Sequence, residues 1–130
     1  MRAPDTYDYA VVRVVPRVER EEFINVGILL SCERIGYLQA RIELDEARVR
    51  ALDPQIDLDL LRRHLAAIPA ICRGGPEAGP LGLLPPRARF HWLTARRSAI
   101  IQTSPTHMGK CGDMDAIMEH LLDRMVRVRR

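Results

Sequence analysis

The chain has 130 residues, of which 47% are hydrophobic and 28% charged, enough for one ordinary core in a single domain over residues 1–130. No apolar run approaches the ~18–20 residues that span a bilayer, and the opening MRAPDTYDY lacks the apolar core of a signal peptide, so a cytoplasmic protein with no membrane partner is expected. The net charge of +3 belongs to the basic tail at 127–130, since RVRR carries three arginines and the balance without them is zero; that argues little for a nucleic-acid partner.

Tyr7 to Val15, YDYAVVRVV, is dense in Val and Tyr and predicts a first strand, stopped by Pro16. The charged RVEREE leads to Phe23–Cys32, FINVGILLSC, apolar at consecutive positions and so a strand buried on both faces in the middle of its sheet. Gly27 within it signals a bulge or a close backbone approach. Glu33 to Gly36 is a hairpin connection, with Gly36 free to adopt positive φ. From Tyr37 to Leu44 the pattern alternates, giving a half-buried third strand and an antiparallel meander. Asp45 caps a short helix, EARVRAL. Asp57 caps a longer one in which Leu58, Leu61, Leu65, Ile68 and Cys72 repeat at helical spacing, Arg62 and Arg63 point outward, and Pro69 should kink or end the helix.

Gly74 to Pro86 holds four Gly and four Pro in 13 residues, a loop whose leucines fold back over the core. Phe90–Ala95 fits a helical turn or a strand. Ser98–Thr103, SAIIQT, predicts a fourth strand, Ser104–Gly112 a polar loop, and Asp113 caps a last helix whose face carries Met114, Ile117, Met118, Leu121, Leu122 and Met125. The order implies an α+β fold: a single antiparallel sheet of about four strands with helices packed on one face. Cys32, Cys72 and Cys111 are odd in number and far apart, which fits neither a disulfide framework nor a zinc cage, and Cys32 and Cys72 read as small buried hydrophobes.

Two blocks stand out together: EFINVGILL at Glu22–Leu30 and FHWLTARRSAIIQTSPTHMGKCGDMDAIMEHLLDRMV at Phe90–Val126. With YAVVRVVP at Tyr9–Pro16 and LDPQIDLDLLRRHL at Leu52–Leu65, the chain resembles, over nearly its whole length, the bacterial family catalogued as domain of unknown function 3037. That resemblance implies a small protein with no established activity. It also implies proximity to genes for a kinase-like protein of the HipA type, the toxin class of some toxin–antitoxin modules, and hence a HipA-like kinase as partner. The positions matching the family's polar motif residues are Arg13, Glu22, Asn25, Arg97, Gln102, Ser104 and His107.

If the first, second and fourth strands are neighbours, these side chains converge at one end of the sheet. An Arg with Gln, Ser and His suits a bound phosphate or carboxylate, because the guanidinium offers a bidentate fork and the neutral groups complete the hydrogen bonds. The structural alternative has Glu22 pairing with an arginine, Asn25 bracing a turn and Ser104-Pro105 shaping a loop. Arg96-Arg97 with His91 and Trp92 would suit a nucleic-acid contact, but a lone Trp is more often a core anchor. His107 and Cys111 offer two metal ligands where three or four are needed, so no metal and no cofactor is expected. Ser104 with His107 is the nearest approach to a nucleophile and base, and no elbow, P-loop or HExxH accompanies it. A non-catalytic accessory or partner-binding domain is therefore the first expectation. A small phosphate-handling or nucleic-acid-processing enzyme around Arg13, Arg97, Gln102 and His107 is the alternative.

Overall fold

The computed structural model describes residues 5–95 and 99–128. The β-branched and aromatic runs near the N-terminus form β1 (Thr6–Val14), β2 (Ile24–Cys32) and β3 (Tyr37–Ile42), an antiparallel meander. Gly36, at φ 65°, closes the turn between β2 and β3. Two short strands follow much later, β4 (Ile101–Thr103) and β5 (His107–Lys110), and both pair with β1, β4 against Val12–Val14 and β5 against Thr6–Tyr9. The sheet order is β3-β2-β1-β4, with β5 also beside β1. The second strand is interior, as apolar residues on both its faces required, and the first, second and fourth strands are adjacent.

Gly27 serves both purposes its position suggested. A Cβ there would lie 2.6 Å from Ile42 Cδ1 and 2.7 Å from the Arg41 carbonyl, so β3 approaches too closely for any side chain. The β1–β2 register also slips beside it, from Val12 opposite Gly27 to Arg13 opposite Asn25, leaving Val26 as the extra residue of a bulge. The slip reverses the alternation: Ile24, Val26 and Leu29 join one core, Ile28, Leu30 and Cys32 the other.

Two cores mean two covers. On the first face lie α1 (Glu46–Leu52), α2 (Leu58–Arg73) and α3 (Pro86–Leu93), contributing Val49, Leu61, Leu65, Phe90 and Leu93. On the second lies α4 (Met114–Met125), whose Met114, Met118, Leu121 and Leu122 pack on Val11, Ile28 and Leu30. The α+β class and single antiparallel sheet stand as expected, but the helices cover both faces instead of one. A strand apolar on both sides demands that arrangement, because each face exposed to water would forfeit roughly 25 cal/mol per Å² of apolar surface.

Other expectations change in detail. Asp45, Asp57 and Asp113 cap their helices as read, accepting from Arg48, Leu60 and Ala116 N–H. However, α2 continues through Pro69 for another turn. Its last turn is held from outside: the buried Arg89 guanidinium donates to the carbonyls of Ile71 at 2.8 Å and Cys72 at 2.6 Å, while Ile71 and Cys72 enter the core. The Gly/Pro segment forms tight 3-10 turns over Pro76–Leu83, with Ala78 and Leu81 against the core, and Pro86 opens α3, which settles Phe90 as helical. The stretch expected to be a polar loop contains β5.

The cysteines correct the sequence expectation as well. Cys32 ends β2 and Cys111 follows β5, so the two flank β1 on the α4 side and form a disulfide with Cα atoms 6.8 Å apart. Only Cys72 is a free buried thiol, and burial pushes it up to about 12. The start of the basic tail is held in place. Arg127 grips Glu43 through two hydrogen bonds of 2.8 Å and also reaches Glu119, tying the end of α4 to the segment after β3. No helix among the described residues is long and apolar enough to cross a membrane.

Candidate functional site

Three of the sequence-selected residues do form one row. Arg13 on β1 lies opposite Asn25 on β2 and opposite Gln102 on β4, so the three occupy laterally adjacent positions on the α4 face. The Arg13 guanidinium lies 4.1 Å from the centre of the Phe23 ring, a cation–π contact. Its buried Nε and the Asn25 Oδ1 have no hydrogen-bond partner among the described residues.

The remaining bonds of this row are structural. Asn25 Nδ2 donates to the Met125 carbonyl at 2.9 Å, capping the C-terminal end of α4. Gln102 Nε2 donates to the Ala99 carbonyl at 2.8 Å, closing the turn into β4. Ser104 is 4% exposed. Its hydroxyl accepts the Val11 N–H at 2.8 Å and donates to the Pro105 carbonyl at 2.8 Å, while its own N–H donates to the Val11 carbonyl. At this point a side chain replaces a main-chain acceptor in the ladder. That substitution splits what would be one long edge strand into β4 and β5.

His107 belongs to the same face but not to the same place. It lies opposite Tyr9 on β1, and the two rings are 5.3 Å apart. Tyr9 is four residues from Arg13, about 13 Å at strand rise, so His107 and Arg13 do not share a hydrogen-bonded site. Glu22 pairs with Arg20 at the surface. Arg97, with Arg96 and Ser98, lies outside the described residues. Cys111 is committed to the disulfide and cannot join His107 as a metal ligand. Among the described residues no three His, Cys, Asp or Glu side chains gather as a metal site.

A further feature lies on the opposite face, and sequence reasoning did not select it. A cavity of about 340 Å³ opens between α2, the end of α3 and β4. From α2 it takes His64, Ala67, Ile68 and Ile71, positions i, i+3, i+4 and i+7 of one helical stripe, together with Arg63. Trp92 and Leu93 form the second wall, and Ala99 to Thr103 the third. Trp92, expected as a core anchor, is 40% exposed at the rim. The signal available in the sequence was the small size of three scattered residues. Ala67, Ala95 and Ala99 leave a recess at positions where larger side chains would have filled the space between helix and strand.

The main chain beside this cavity is also uncommitted. Gln102 faces Arg13 in the ladder, the Ile100 carbonyl accepts from Val15, and the Ser104 N–H donates to Val11. The alternation therefore turns the N–H and C=O groups of Ile101 and Thr103 away from β1, along the outer edge of the sheet. Among the described residues no strand pairs with that edge.

Neither the curated proteins nor the solved structures contain a match to this chain. A family model does match, described as "Protein of unknown function (DUF3037)", over residues 9–126, from within β1 to just past α4. The match takes in both blocks that carried the resemblance, the meander and the β4–β5–α4 segment, and on that extent the chain belongs to the DUF3037 family.

Proposed function

We propose that the chain is a non-catalytic partner-binding domain. The observation that carries this is the commitment of Ser104, the best-placed hydroxyl, which donates its one proton to the Pro105 carbonyl and accepts the Val11 N–H. A nucleophile needs a base within hydrogen-bond reach, and His107 instead rests against Tyr9. What the molecule offers a second macromolecule is the outer edge of β4, where two residues of unpaired main chain adjoin an apolar recess. Strand addition exploits that combination, with main-chain bonds supplying affinity and a neighbouring pocket selecting a side chain. The family resemblance supplies the partner to try first, a HipA-like kinase encoded nearby. Co-expression with that protein should give co-elution on size-exclusion chromatography, lost when Thr103→Pro removes an edge N–H. Independent elution at micromolar concentration would contradict the proposal.

The second reading, a phosphate-handling site, is favoured by one observation, the Arg13 Nε without a partner in a row with Asn25 and Gln102. It predicts that inorganic phosphate binds with an affinity that Arg13→Ala abolishes. Calorimetry with no heat of binding at millimolar phosphate would remove it.

A further inference from the structure

The cavity between α2, α3 and β4 has a chemistry of its own, independent of any protein partner. Its walls are largely apolar, lined by Ala67, Ile68, Ile71, Trp92, Leu93 and Ile101. Its only charged or ionisable side chains among the described residues are Arg63 and His64, adjacent on α2; no carboxylate lines it. The neighbour of Arg63 on the helix, Arg62, binds Glu46 and Asp59. Arg63 reaches no carboxylate among the described residues, and its one hydrogen bond is a 3.5 Å contact from Nε to the Asp59 carbonyl one turn back on the same helix. The Nη groups of a guanidinium beside an apolar recess form a fork suited to a carboxylate whose hydrocarbon body enters the recess. The volume, about 340 Å³, lies at the lower end of the range of small-molecule sites, roughly 300–1,000 Å³.

We propose that this cavity binds a small amphipathic carboxylate, with an aliphatic body against Ile68, Ile71 and Trp92 and the anionic head on Arg63. Neutral molecules of the same shape lose the guanidinium contact. Longer bodies gain affinity until the recess is filled.

Trp92 is the chain's only tryptophan, so its fluorescence reports on this cavity directly. The full chain is titrated separately with hexanoate, octanoate and 1-octanol. Octanoate should change the emission saturably. Hexanoate, two methylenes shorter, should bind about tenfold more weakly, and 1-octanol about tenfold more weakly than octanoate. Arg63→Glu alters an exposed side chain without touching the core. It should weaken octanoate by about tenfold or more and leave 1-octanol unchanged, while Ala67→Phe should block both. The proposal is overturned if octanoate gives no saturable change up to about 10 mM, since an affinity weaker than that is no specific site. It is equally overturned if octanoate and 1-octanol bind alike and Arg63→Glu changes neither, which would make the cavity an unselective apolar recess.

Discussion

The two faces of the sheet solve the same packing problem differently. On the α4 face the helix sits flush, Leu122 and Ile28 are fully buried, and of the polar residues at the margin Asn25, Gln102 and Ser104 bond to main chain. On the α2–α3 face α1, α2, α3 and the 3-10 turns cover the sheet, yet small side chains leave a recess beside the edge strand. The first face shows that a cluster of polar residues can be explained by the joints of a fold. The second shows that a recess can form from small side chains with no polar cluster to mark it in the sequence.

The sharpest way to break this comparison is to damage the tight face. Leu122→Ala should cost about 2–5 kcal/mol, because the surrounding Ile28, Leu30 and Met118 cannot collapse into the void; a denaturant midpoint barely changed would mean that α4 is loosely docked. Next in size is Ser104→Ala. It leaves the Val11 N–H without its acceptor in a buried ladder and should cost about 1–3 kcal/mol, read from the same unfolding curves. If Ser104 were instead held for chemistry, its removal would leave stability unchanged.

Acid should loosen the α4 face in a defined direction. The Arg127 guanidinium hydrogen-bonded to Glu43 holds its carboxyl below the usual carboxylate range. The folded chain therefore takes up this proton less readily than the unfolded one. The contribution is complete above the unfolded value, about 4.3, and is lost as pH falls through the lower folded value. Both side chains are about one-third exposed, so the effect is small and salt-sensitive. The difference in Tm between the wild type and Arg127→Ala should narrow between about pH 6 and pH 3; a difference independent of pH would assign Arg127 another role. The smallest expected effect falls on the other face. Ala67→Phe fills open space and should shift stability by no more than about 0.5 kcal/mol, whereas the same added volume in the α4 core would disrupt it.

How far the sequence disclosed all this depends on the kind of signal. Period-two alternation in Tyr37–Leu44, the apolar run of Phe23–Cys32 and the Asp caps are local, and they placed the meander and three helices. The same apolar run contained the evidence for a cover on each face, which the one-sided layering overlooked. Three features were hidden because they depend on distant partners. β5 is polar and short, and becomes a strand only by lying along Thr6–Tyr9. Cys32 and Cys111 are 79 residues apart and meet only once β1 lies between their strands. α2 runs on past Pro69 to Arg73, and its last carbonyls, at Ile71 and Cys72, are held by Arg89, 20 positions after the proline. Of the polar set, the adjacency of Arg13, Asn25 and Gln102 was legible from the strand order, and the distance to His107 was not, since it required the register of β5. The cavity is made of alanines and one helical stripe, and such a pattern has no meaning until a strand lies opposite it.

The central claim is that recognition belongs to the α2–α3 face and that the Arg13 row is structural. Backbone amide NMR of the labelled chain, titrated in parallel with octanoate and with inorganic phosphate, tests it most directly. The account predicts that octanoate shifts Ala67, Ile68, Ile101 and the Trp92 indole while phosphate leaves Arg13, Asn25 and Gln102 in place. Phosphate shifting Arg13, Asn25 and Gln102 together, with octanoate leaving α2 unmoved, would contradict it.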